Sequence, residues 1–96
     1  MQDKSNIDIQ NIIRMKEIAR VYNLTKQKKK AAKYHKTIIK ICDKYPKDKK
    51  MLELKIHSLN CLDKPYKSLE NTNRLLDINP YNIPALINIA AHLRSD

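Results

Sequence analysis

Pro46 and Pro80 stand 34 residues apart, and the residues before them repeat as well. Ile41-Cys42-Asp43-Lys44-Tyr45-Pro46 aligns with Leu75-Leu76-Asp77-Ile78-Asn79-Pro80: two apolar residues, an Asp, two more residues, then Pro. A short polar link follows each Pro (Lys47-Asp48-Lys49, then Tyr81-Asn82-Ile83), and after it a new apolar run at helical spacing. Self-similarity at this period marks stacked helical hairpins, each of which cannot bury its apolar side alone. Arrays of this kind present binding surfaces to partners.

Composition agrees. The 96 residues make one small domain. The chain has no Gly, so turns and phosphate-cradling loops built on glycine are unavailable, and all four prolines fall from residue 46 onward. Five helices are expected: about Asn6 to Leu24, Gln27 to Lys44, Lys49 to Leu62, Lys64 to Ile78 and Ile83 to Arg94. Asp48, Asp63 and Asn82 each precede an apolar-periodic stretch and are expected N-caps. Pro65 and Pro84 sit in first turns, where a missing N–H costs little. Tyr45-Pro46 and Asn79-Pro80 end the helices before them.

In the first helix Met15, Ile18 and Tyr22 make one apolar side, while Ile9, Ile12 and Ile13 lie nearly opposite. Either the helix bends near Arg14, or its beginning offers apolar surface to a partner or a second copy. The expected division is therefore an N-terminal helical extension over 1–14 and a repeat domain over 15–94.

Residues 15–94 resemble the tetratricopeptide repeat (TPR) family, over about two and a half repeats. Leu86, Ile89, Ala90 and Leu93 match the first-helix pattern of that family, and Leu52, Ile56 and Leu59 match it with Lys55 as a departure. In the earliest repeat Ile18, Val21 and Tyr22 fit less well, since Tyr22 stands where a small residue is expected. The same departure at Ile56 is expected to be relieved by the small Ser68. The resemblance implies an all-α, TPR-like antiparallel helix-pair array forming a short right-handed superhelix. It also implies an inner groove lined by the first helix of each pair, with Asn23, Glu53, His57, Asn60, Ile87 and Ala91 as protein-binding candidates. The fifth helix lacks a following partner, which leaves Ile87 and Ala91 to be covered by another protein, a second copy or the first helix. The family's carboxylate clamp does not carry over. Only Asn23 matches it, and Ala19, Leu54, Pro84 and Asn88 stand where it needs Lys, Asn, Lys and Arg.

Charge adds the sharper candidate. Residues 1–50 hold 15 Lys/Arg and 5 Asp/Glu, whereas residues 51–96 hold 5 of each, so the formal +10 belongs to the first half. Charge of one sign gathered in one region fits contact with a polyanion. On the second helix Ala31, Tyr34, Ile38, Ile41, Cys42 and Tyr45 fall on one side, and Lys26, Lys29, Lys33, Lys36, Lys40 and Lys44 fall opposite. Lys29/Lys33 and Lys36/Lys40 are like charges at i,i+4, each costing about 0.2–0.5 kcal/mol. An ordinary solvated face mixes signs to avoid that cost. Lys30 and Lys47 extend the patch, with Lys49 and Lys50 around the turn. An AT-rich coding bias inflates Lys, Asn and Ile and explains how many lysines there are, but not their separation from acids on one helix. The five tyrosines are expected mostly at packing positions, so base stacking is not expected.

Nothing catalytic emerges: His35, His57 and His92 lie on three helices, and no metal-binding or phosphate-loop motif occurs. Cys42 and Cys61 are expected as buried, reduced thiols. Asn23-Leu24-Thr25 fits a glycosylation acceptor, but no secretory segment accompanies it. The longest apolar stretch, Ile83 to Leu93, is broken by Pro84, Asn88 and His92 and is too short to span a bilayer. The expectation is a cytoplasmic, non-enzymatic adaptor with no cofactor, metal, membrane contact or small-molecule substrate. It would dock through its basic helix on rRNA or a ribonucleoprotein, the ribosome foremost, with a protein partner covering the C-terminal helix. The alternatives are a peptide-binding or scaffolding module without nucleic acid, and a subunit stable only in a larger complex.

Overall fold

Five α-helices account for the regular structure in the computed structural model, which describes residues 4–94. They are α1 (Lys4–Leu24), α2 (Lys28–Cys42), α3 (Lys49–Cys61), α4 (Pro65–Ile78) and α5 (Ile83–Arg94). The protein is all-α, and the described residues contain no strand. Each helix packs on the next in sequence, and the connections are too short for neighbours to run any way but antiparallel. Alternate helices also meet. Asn60 of α3 donates to Asn88 of α5 at 3.0 Å, and residues of α2 and α4 face one another across a cavity. The resulting slab measures 43 × 32 × 17 Å, so its thin dimension holds about two helix diameters.

The caps explain most of the boundaries. Asp48 accepts from the Met51 amide at 3.0 Å and starts α3, and Asn82 accepts from the Ala85 amide at 2.9 Å and starts α5, both as expected. Asp63 is different. It has φ 57°, Lys64 is the N-cap of α4, and Lys64 makes no side-chain capping bond. The reason is the end of α3, where the Lys64 amide reaches the Leu59 carbonyl (3.0 Å) and the Asp63 amide reaches Asn60 (3.1 Å). That pair of bonds is a Schellman motif, which requires a left-handed residue at the position Asp63 fills.

α1 ends the same way, with Lys26 at φ 61° and the Gln27 amide on the Tyr22 carbonyl at 2.7 Å. A glycine-free chain has had to place Asp and Lys where glycine is usual. Left-handed backbone costs a side-chain-bearing L-residue about 1–2 kcal/mol. Lys26→Gly is therefore expected to raise the melting temperature by a few degrees, as about 1 kcal/mol of strain is relieved. A thermal melt followed by circular dichroism checks it.

Two apolar clusters form the core. The first joins Ile12 of α1, Ile38 and Cys42 of α2, and Met51 and Leu54 of α3, with Ile9, Met15, Ile41 and Tyr45 packed against it. The second joins Leu52 and Ile56 of α3, Leu75 of α4 and Ala85 of α5. α1 is one continuous helix, so the expected division at residue 14 falls inside it, and Ile12 is fully buried. Its neighbour Ile13 is exposed, with Ile7, Ile18 and Val21. Ser68 is fully buried, and its hydroxyl accepts from Asn88 Nδ2 at 3.2 Å.

Candidate nucleic-acid interface

α2 positions the basic surface. Its buried residues Ala31, His35, Ile38 and Cys42 are spaced i, i+4, i+7, i+11. Lys29, Lys33, Lys36 and Lys40 repeat that spacing two residues earlier, and two residues of helix turn a side chain about 200°. Packing the first set against α1 and α3 therefore forces the second set outward. Every lysine of the candidate set, from Lys26 to Lys47, is exposed. α2 carries no acidic residue in its 15 positions. Among the described residues the ion pairs are Arg20–Glu17, Lys55–Asp43 and Arg74–Glu70, so none of the candidate lysines is neutralised by a carboxylate. Lys30 alone turns aside, 5.5 Å above the Tyr22 ring, which itself stacks on Tyr34 at 5.8 Å.

The tyrosines divide. Tyr22 and Tyr34 pack together, and Tyr45 donates to Asp8 Oδ2 at 2.6 Å, tying α1 to the turn after α2. Tyr66 and Tyr81 depart from expectation, with 88% and 87% of their surface exposed. Both follow a proline, Tyr66 in the first turn of α4 and Tyr81 in the loop before α5.

A second basic feature lies between α2, α3 and α4. A cavity of about 450 Å³ is bordered by Lys36 and Asp43, by Lys55, Lys64 and Lys67, and by Glu70 and Arg74. Its apolar wall is Ile39, Leu59 and Leu62. Both acids are engaged, Asp43 with Lys55 at 2.6 Å and Glu70 with Arg74 at 3.0 Å. Charge counting alone places the positive region in the first half, yet Lys64, Lys67 and Arg74 come from the second. The fold draws them together because α4 packs back toward α2.

On the other face, Asn23 and His57 share a cavity of about 340 Å³ with Lys16, Arg20, His35 and Cys61. Asn60 and Ala91 line a separate cavity, of about 370 Å³, with Asn88 and His92. Ile87 is exposed. Glu53 belongs elsewhere. It is half-buried and accepts from Asn82 Nδ2 at 3.0 Å, which ties it to the start of α5. Among the described residues, then, no single one of these cavities gathers all six groove candidates.

His35 is 3% exposed and pairs through Nδ1 with Ser58 Oγ at 3.1 Å, 6.1 Å from the His57 ring. Burial lowers its pKa below the usual histidine range, and His57 and Lys16 push the same way. The imidazole is neutral in the folded chain but gains a proton more readily once unfolded. Its contribution to stability is complete above about pH 6.5 and is lost as the pH falls below it. The melting temperature is expected to drop between pH 7.5 and pH 5, and to drop less in His35→Leu; differential scanning calorimetry across that range checks it. Cys42 is buried, and that burial, with Asp43 beside it, pushes its thiol up to about 12. Cys61 departs from the expected burial: it is exposed, with Sγ 3.6 Å from His57 Nε2.

Among the described residues no group of three metal-ligating side chains converges, and no helix is long and apolar enough to cross a membrane. Comparison with family models, curated proteins and solved structures found no match for this chain.

Proposed function

We propose that the chain is a non-enzymatic, TPR-like docking protein that binds RNA or a ribonucleoprotein, with the ribosome as the foremost candidate, through the lysine face of α2. The observation that supports this reading is the acid-free row of exposed lysines at i, i+4, i+7 and i+11, directly opposite the buried row of the same helix. Holding those ammonium groups together costs stability that a protein gains nothing from unless something anionic meets them. Phosphates do so with release of condensed counterions, and lysine is a flexible point charge suited to backbone contact without base readout.

The consequence is salt dependence. With six phosphates engaged, affinity for an rRNA fragment is expected to fall by about a thousandfold between 50 and 200 mM salt in a filter-binding titration. A flat profile rules the reading out. The rival, a peptide-binding module in a cytoplasmic complex with no nucleic acid, predicts binding that survives high salt and is lost on Ile87→Asp or Ala91→Asp.

A further inference from the structure

Three lysines of the α2–α4 cavity, Lys36, Lys64 and Lys67, have no carboxylate partner among the described residues, whereas the two acids of its rim are already paired. The lining carries five cationic and two acidic side chains, which leaves three positive charges around about 450 Å³. That volume falls within the range of small-ligand sites, about 300–1,000 Å³. α4 begins at the same place, with Lys64 as an N-cap that makes no side-chain bond, so the positive end of the helix adds to the field. Two features point beyond a bare anion. Ile39, Leu59 and Leu62 give the cavity an apolar wall. Asn71, also on the lining and 4% exposed, donates through Nδ2 to the Lys67 carbonyl at 2.8 Å, while its Oδ1 has no hydrogen-bond partner. A buried acceptor left unpaired is costly, and a ligand hydroxyl satisfies it.

We propose that this cavity seats a ribonucleoside phosphate monoester: the phosphate on Lys36, Lys64 and Lys67, the base against the apolar wall, and a ribose hydroxyl toward Asn71. A phosphate monoester carries close to two negative charges at neutral pH, which three unpaired ammonium groups match better than one phosphodiester does. Lys36 belongs both to the cavity and to the α2 row, so the 5′-phosphate of an RNA strand lying along α2 is the ligand in place. This last step rests on the RNA-docking reading of α2, whereas seating of a free nucleotide does not.

The test uses the full chain. Two short RNAs identical except for a 5′-phosphate are titrated by fluorescence anisotropy, and AMP is titrated against the ¹⁵N-labelled protein by NMR. The phosphorylated RNA is expected to bind about tenfold more tightly. Lys64→Gln/Lys67→Gln is expected to abolish that preference and spare the affinity common to both RNAs. Lys33→Glu/Lys40→Glu, outside the cavity, weakens both RNAs equally. AMP is expected to shift the amides of Lys64 and Lys67, while adenosine does not. If RNA binds without regard to its 5′ end and AMP shifts nothing, the cavity assignment falls and the α2 reading stands. If neither RNA binds but AMP does, the cavity stands and the α2 reading falls. Equal affinity for AMP and its 2′,3′-dideoxy counterpart overturns the assignment to a ribonucleotide.

Discussion

Lys33→Glu/Lys40→Glu should bind RNA about 100-fold more weakly at 0.1 M salt and at the same time be the more stable protein. The two effects come from the same change of sign. Each lysine–phosphate contact contributes close to a decade of affinity at that salt concentration, through the counterions it releases, so losing two removes about two decades and makes the salt slope shallower by about 2. Within the helix, Lys29/Lys33 and Lys36/Lys40 change from repulsive to attractive i,i+4 pairs. Each swing is about 0.4–1 kcal/mol, about 0.8–2 kcal/mol for the two, so a rise in melting temperature of about 3–16 °C is expected. Unfolding cannot mimic this pattern, because it lowers both quantities. Unchanged RNA affinity in a stabilised variant removes α2 as the contact surface.

The largest loss of stability is expected from Ile38→Ala, about 2–5 kcal/mol. Ile38 is fully buried at the point where α1, α2 and α3 meet, beside Ile12, Cys42, Met51 and Leu54. Truncation leaves a cavity bounded by three helices, none of which closes it without breaking its own packing. A domain of this size has a total stability of about 5–15 kcal/mol, so the variant is expected to be partly unfolded at 37 °C. Leu86→Ala, on the half-exposed side of α5, should change stability by less than about 1 kcal/mol. Urea titrations of the two variants, side by side, check the contrast.

The helices were legible because Asp48, Asn82, Pro65 and Pro80 punctuate the chain at the right places, and because α2 separates its lysines from its apolar residues without ambiguity. α1 was less legible. Ile9, Ile12, Ile13, Met15 and Ile18 leave no side clearly polar, and only packing against Ile38 and Met51 selects Ile12 for the interior. Asp63 was misplaced by one residue, because the Schellman bonds that end α3 determine where α4 begins. The α2 face followed from residues on one helix. The cavity did not, since its lysines come from α2, α3, α4 and the turn between the last two. The buried His35, Ser58 and Thr72 were invisible to any reading of apolar spacing, because the groups that receive them (His35 and Ser58 each other, Asn88 for Thr72) lie on other helices.

Asn88 is the strongest case of such a partner. Its Nδ2 donates to Thr72 Oγ1 at 2.6 Å and Ser68 Oγ at 3.2 Å, and its Oδ1 accepts from Asn60 at 3.0 Å, so one amide joins three helices. α5 buries little apolar surface besides Ala85. Apolar contact tolerates sliding, but hydrogen bonds hold direction. The terminal helix is thus aimed as well as attached: it keeps one angle to the slab while docked, and once this amide lets go nothing slippery remains to hold it at another.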